Sequence, residues 1–305
     1  RGGAFELGFN FGWAHGVTLS NLNHLVTDEK HEEKEKMLTE VSNNIDDWHK
    51  KTPLFPTQFF DGLSDWYNDW LENPPPSDYW NEFDMSNHFG NIDIPIYHLG
   101  GWFDVFLNGT LKFYQGVSKN GKSDKTKQNQ RLIVGPWVHG PTNIDNRFAG
   151  EFDFGPDAAL DFNELRLPWF DFWLKGKNNG IDETKKINFF VMGKNEWKQA
   201  DEWPLKNTTY TKYYFNKKLN GEIKSLYSGT LSDKKEIENS QLSFTNNLNN
   251  PVPSLGGNTL SIPNGVFEHS SVDKQCITFS TNPLENELEV TQAADKLLGK
   301  KLVTN

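Results

Sequence analysis

The strongest constraint on this chain is a pair of short apolar runs, each closed by glycine, with a helix-length segment between them. Ile94-Pro95-Ile96-Tyr97-His98-Leu99 ends in Gly100-Gly101, and Arg131-Leu132-Ile133-Val134 ends in Gly135-Pro136. Both are too short for helices and rich in residues that suit a buried strand. Residues 105–117 place Phe106, Leu107, Leu111, Phe113, Tyr114 and Val117 at helical spacing, and residues 118–130 read as a polar, lysine-rich loop. Strand, helix and strand at this spacing form a βαβ unit, which needs a parallel sheet.

The flanks have other textures. Residues 28–51 carry Leu38, Val41, Ile45 and Trp48 amid Glu and Lys, the pattern of an amphipathic helix with an N-cap at Thr27-Asp28. A shorter helix is predicted over 61–72, and Asn73-Pro74-Pro75-Pro76-Ser77 marks a boundary. Residues 158–175 read as a helix kinked at Pro168 and stopped by Gly176, with Phe170, Trp173 and Leu174 toward the sheet. From 187 onward short β-like runs such as Ile187–Val191 and 211–215 alternate with Gly, Asn and Ser turns, the texture of a sandwich or jelly roll. The expected organisation is α/β plus all-β: a helical region over 1–85, an α/β part over 86–186 and a β-sandwich over 187–305. Residues 293–305 do not close such a sandwich, so the chain is expected to stop before that domain does.

Composition removes several classes of function. With 305 residues, one hydrophobic core is too few, and two or three domains are expected. The net charge is −10, and the only lysine-rich stretch, 119–127, is short and contains Asp124, so a nucleic-acid partner is not expected. No apolar run approaches the roughly 18 residues a membrane span needs. The single cysteine, Cys276, leaves no intramolecular disulfide, and no Cys/His metal spacing occurs, so no metal or organic cofactor is expected. The start at Arg1-Gly2-Gly3 shows no signal-peptide core and lacks Met. A reducing, cytoplasmic setting is the expectation.

The chemistry concentrates at the carboxyl ends of the two predicted parallel strands, where open α/β sheets bind ligands. Gly100-Gly101-Trp102-Phe103-Asp104 offers a carboxylate, and Gly135-Pro136-Trp137-Val138-His139-Gly140 offers an imidazole 35 residues later. A Ser-His-Asp triad uses this pair: the His takes and returns the serine proton, and the Asp fixes its tautomer. In α/β-hydrolases the chain order is Ser, Asp, His. The chain has no Gly-x-Ser-x-Gly, so a nucleophile is expected upstream of Arg1. From spacing alone, two polar loop residues in an unrelated α/β domain remain the alternative.

The surrounding residues carry a resemblance. Gly100–Phe106 resembles the Gly-Trp-Tyr/Phe-Asp motif around the triad aspartate of the cocaine-esterase-like, X-Pro-dipeptidyl-peptidase-like serine hydrolases, and 132–139 resembles their Gly-Pro-Trp-x-His motif around the triad histidine. Residues 170–176, 191–197 with Glu202-Trp203-Pro204, 250–257 and 284–291 resemble later segments of that family in the same order, so the likeness runs from about 79 to 291. It implies the C-terminal part of an α/β-hydrolase with a helical cap, then a jelly roll. His139 would be base then acid, Asp104 its orienter. The serine elbow and the upstream oxyanion-hole residue of the family pattern are absent from this sequence.

Phe106, two residues after Asp104, is a candidate wall of the acyl pocket, with core packing as its alternative. Trp137, two before His139, would buttress the imidazole or touch substrate. Leu260 and Ile262 follow a segment that resembles one reaching the family's active site. His15, His24, His31, His49, His88, His98 and His269 read as surface or satisfied histidines; His24 and His31 lack H-E-x-x-H spacing. Asp61, Asp65 and Asp69 look like an exposed helix face. The implied partner is a small ester, amide or peptide substrate, with a homo-oligomer allowed. The rival class is a non-catalytic jelly-roll module that binds a ligand.

Overall fold

The computed structural model describes residues 5–51, 60–221, 223–235, 241–245, 247, 249–260 and 263–291. The chain divides into two compact units, Arg1–His88 with Thr259–Pro263, and Phe89–Asn258 with Asn264–Asn305.

The first unit is helical. Its elements are α1 (Leu7–Ser20), α2 (Leu22–Leu25), α3 (His31–Asn43), α4 (Ile45–His49) and α5 (Trp66–Glu72). Phe11 and Ala14 of α1 meet Leu22, Leu38, Val41, Phe60, Leu63 and Tyr67 in one core. Three of its polar side chains are paired: His15 Nε2 reaches the Leu38 carbonyl at 2.8 Å, and Thr18 Oγ1 lies 2.7 Å from Ser64 Oγ. The single helix expected over 28–51 is broken at Asn44, whose φ of −129° leaves the helical region. The Asn44 amide bonds back to the Glu40 carbonyl at 3.0 Å, the local competition that makes Asn a poor helix-interior residue. Asp28 accepts from the Lys30 N–H, and the helix starts only at His31.

The second unit is built on a sheet of order β1-β2-β5-β6. Here β1 is Ile96–Gly101, α6 Leu107–Asn120, α7 Asp124–Gln128 and β2 Gln130–Gly135. A hairpin of β3 (Phe148–Ala149) and β4 (Phe152–Asp153) and then α8 (Phe162–Lys175) lead to β5 (Ile187–Val191) and β6 (Glu196–Ala200). β1, β2 and β5 run parallel and β6 antiparallel. All six residues of β2 are buried, as a central parallel strand requires. Alternation sorts its side chains: Leu132 and Val134 meet Leu107, Leu111 and Tyr114 of α6, while Ile133 meets Leu165 and Phe162 of α8. Each fully buried large apolar side chain of this kind stabilises by about 1.5–3 kcal/mol.

The lysine-rich stretch expected as a loop contains α7, capped by Ser123, whose Oγ accepts from Thr126 N at 3.2 Å. On α8 two of the three expected sheet-facing residues are corrected, while Trp173 is half-buried with its ring 5.7 Å from Trp169. Leu174 is 77% and Phe170 49% exposed, and Trp169 is the buried residue, with its ring 5.5 Å from Tyr97. Trp169, Leu165 and Phe162 share one helical stripe, and the apolar residues at 170 and 174 form a second, solvent-facing one.

β5 and β6 belong to the same sheet as β1 and β2. The β-rich remainder contains β7 (Tyr214–Leu219), β8 (Tyr227–Ser232) and β9 (Ile277–Ser280), which form a three-stranded sheet. Residues 293–305 lie outside the described residues. No helix among the described residues is long and apolar enough to cross a membrane.

Candidate active site

β1 and β2 end side by side, with Gly101 opposite Gly135 in register. A Cβ on Gly101 would run into the Trp137 carbonyl, so only glycine lets the two loops leave the sheet in contact. Backbone bonds then lace them together. Trp102 N–H donates to the Gly135 carbonyl at 2.8 Å, and Phe103 N–H to the Trp137 carbonyl at 3.0 Å. The next residue of each strand-end segment is thereby fixed near its counterpart.

Asp104 and His139 meet there. His139 Nδ1 lies 3.1 Å from both Asp104 oxygens. A carboxylate only accepts, so Nδ1 carries the hydrogen and Nε2 keeps its lone pair. Asp104 Oδ1 also accepts the Phe106 N–H at 2.8 Å, which orients the carboxylate. The Asp104 side chain is 15% exposed and that of His139 38%, so the acid lies inside and the base at the surface. Among the described residues nothing hydrogen-bonds to His139 Nε2. An oriented imidazole with an open, basic nitrogen can take a proton from a hydroxyl and return it to a leaving group.

The other residues expected at the pocket are placed differently. Phe106 is 48% exposed, and its ring stands edge-to-face with the His139 imidazole at 5.2 Å. Trp137 is 1% exposed and sits beneath the loop, where its Nε1 donates to the Ala158 carbonyl at 2.7 Å. Leu260 belongs to the first unit, whereas Asp104 and His139 belong to the second. Ile262 lies outside the described residues. Sequence reasoning missed Asn143, whose Nδ2 donates to the His139 carbonyl. Gly140-Pro141-Thr142-Asn143 does read as a turn, and Gly140 has a φ of +103°, but which carbonyl Asn143 would clamp is not written there.

The remaining histidines of the second unit are occupied. His98 is 6% exposed and lies 2.9 Å from Gln130 Oε1. The Gln130 amide nitrogen donates to the Ile94 and Thr126 carbonyls, so its oxygen must face His98, which donates. Burial pushes the His98 imidazole below its usual value, and the Gln130 bond offsets this in part. His269 Nε2 bonds the Leu255 carbonyl. Among the described residues no group of three or more His, Cys, Asp or Glu side chains is arranged to hold a metal ion.

Comparison with known proteins places these features in a context. A family model described as X-Pro dipeptidyl-peptidase (S15 family) matches residues 1–141. One described as the X-Pro dipeptidyl-peptidase C-terminal non-catalytic domain matches 179–291. The cocaine esterase of Rhodococcus sp. (strain MB1 Bresler) is 29% identical over 265 residues, which are 83% of this chain and 44% of that protein. Among solved structures, an aminopeptidase from the marine sediment archaeon Thaumarchaeota archaeon superposes with a TM-score of 0.47 and 21% identity over 57% of this chain and 27% of that one. An α-amino acid ester hydrolase gives a TM-score of 0.43 and 20% identity over 58% and 28%. The chain spans less than half the length of each of these relatives.

Proposed function

Given that the chain belongs to the X-Pro-dipeptidyl-peptidase-like, cocaine-esterase-like family, we propose that it supplies the histidine and aspartate of a serine hydrolase triad acting on small esters, amides or peptides. The observation that carries this reading is the His139–Asp104 pair with Nε2 left open. In the reaction, Nε2 takes the proton of a serine hydroxyl as the oxygen attacks the acyl carbon. The imidazolium, held by Asp104, then protonates the leaving alcohol or amine. Water repeats the sequence on the acyl-enzyme, with His139 again base and then acid.

The serine lies outside these 305 residues on this reading, within the rest of an α/β-hydrolase sheet, and a jelly roll completes the β-rich part. Phe106 forms part of the acyl pocket, a role supported by its exposure and its place against the imidazole. Trp137 acts as the buttress below.

The test uses a fluorophosphonate probe and p-nitrophenyl acetate. The product of the whole reading frame should be labelled at one serine and should hydrolyse the ester, while the 305-residue chain by itself should do neither. Stoichiometric labelling of a serine within the 305-residue chain overturns the division of roles. Absence of labelling in the whole product overturns the hydrolase reading.

A further inference from the structure

The segment matched to a non-catalytic domain begins at residue 179, yet β5 and β6 within it extend the sheet that carries the His139–Asp104 pair. Trp197 of β6 engages the loop that carries His139. Its ring lies 5.7 Å from the ring of Trp137, and its Nε1 donates to the Asp157 carbonyl at 2.7 Å. Trp137 donates to the very next carbonyl, that of Ala158, also at 2.7 Å. Two indoles thus hang side by side from one short turn, Pro156–Ala158. Phe190 closes the other side of Trp197 at 5.4 Å.

Trp137 passes this support to both members of the pair. It stands two residues before His139, so a tilt of its indole rotates the backbone from which the imidazole projects. Its carbonyl accepts the Phe103 N–H, one residue before Asp104. We infer that Trp197 is a positioning residue for the proposed reaction: it holds Trp137, and through it sets the His139–Asp104 geometry, although it lies in the non-catalytic segment. The inference rests on the triad reading. Dispersion and ring-edge attraction between two such indoles add to their area burial and favour one loop arrangement over its neighbours.

The test reads the imidazole directly and needs no nucleophile. Long-range ¹H–¹⁵N spectra of the histidine-labelled chain report which ring nitrogen of His139 carries the hydrogen. Wild type should show the Nδ1–H tautomer alone. Trp197→Ala should convert this into an averaged mixture of both tautomers while circular dichroism stays unchanged. Trp197→Phe, which keeps a ring against Trp137 and loses only the N–H bond, should retain most of the Nδ1–H form. A merely structural Trp197 would lower the melting temperature and leave the tautomer pattern as it is, and that result overturns the inference. Asp104→Asn separates the two levels of argument. If it leaves the His139 pattern unchanged, the pairing itself fails. If it shifts the pattern and Trp197→Ala does not, only the role of Trp197 fails.

Discussion

β1 carries a histidine in its middle and an aspartate just past its end, and the two places treat an imidazole in opposite ways. His98 is buried, packed 5.6 Å from Phe113 and 5.5 Å from Tyr114, and bonded to a fixed amide. His139, held over the end of the same strand pair, has one nitrogen on a carboxylate and the other free among the described residues. The residue type is the same and the sheet is the same. Burial between two rings, with a bond to a fixed amide, makes the first a structural unit, and partial exposure beside a carboxylate makes the second available for proton transfer.

Removing each imidazole is the sharpest way to break this contrast. His139→Ala and Asp104→Asn in the whole protein should each lower kcat at least about 10³-fold with little change in KM or in unfolding free energy; the Asp-to-Asn change in trypsin-type proteases, a worked case, costs about 10⁴. The double variant should lose no more than the worse single one, because the pair acts as a unit. Steady-state hydrolysis of an activated ester measures this. An Asp104→Asn enzyme that keeps more than about a tenth of kcat would move the orienting role to another acid.

His98→Ala should do the reverse. It strands the Gln130 oxygen, on a side chain with no exposure, and leaves a cavity against two rings. Urea unfolding should show a loss of about 2–4 kcal/mol. A variant as stable as wild type would mean that the Gln130 amide finds a second donor.

The smallest effect is pH. Because burial holds the folded His98 below its unfolded value of about 6.5, the unfolded chain takes up the proton more readily. Its contribution to stability is therefore complete above about pH 6.5 and is lost as the pH falls through that value toward the folded pKa, by at most about 1.4 kcal/mol per pH unit. His49 is also lowered, by burial opposed in part by Asp46, and adds a slope of the same sign. His98→Gln, which cannot titrate, should flatten the stability profile below about pH 6.5 relative to wild type. Parallel profiles would show that His98 does not titrate across that range.

How much of this was legible beforehand follows from what each signal encodes. β1 and β2 are runs of apolar residues stopped by glycine, and both the period and the stop are local, so the strands and their loops could be read directly. The break at Asn44 and the cap at Ser123 are also local, and each has a side-chain mechanism that a closer reading of Asn and of Ser-Asp could have used. The face of α8 was not legible, because Phe162, Leu165 and Trp169 compete with Phe170 and Leu174 as equally apolar stripes, and only the partner sheet decides between them. The same holds for β5 and β6. Their sequence says strand, but the choice to pair with β2 depends on partners 55 residues away, Leu132 opposite Ile187. Trp197 gave no signal for the same reason, since its effect on the site exists only once that pairing is made.

The full enclosure of β2 has one more consequence. Its ladder is bonded to β1 on one side and β5 on the other, so each of its amides meets water only when the ladder that holds it parts. Such amides exchange hydrogen through the largest openings a fold allows, whereas the fraying of an outer strand such as β6 leaves them sealed. The imidazole is therefore tethered to a strand held on both of its sides. Breathing motions at the periphery can come and go without the proton-transfer geometry being dismantled.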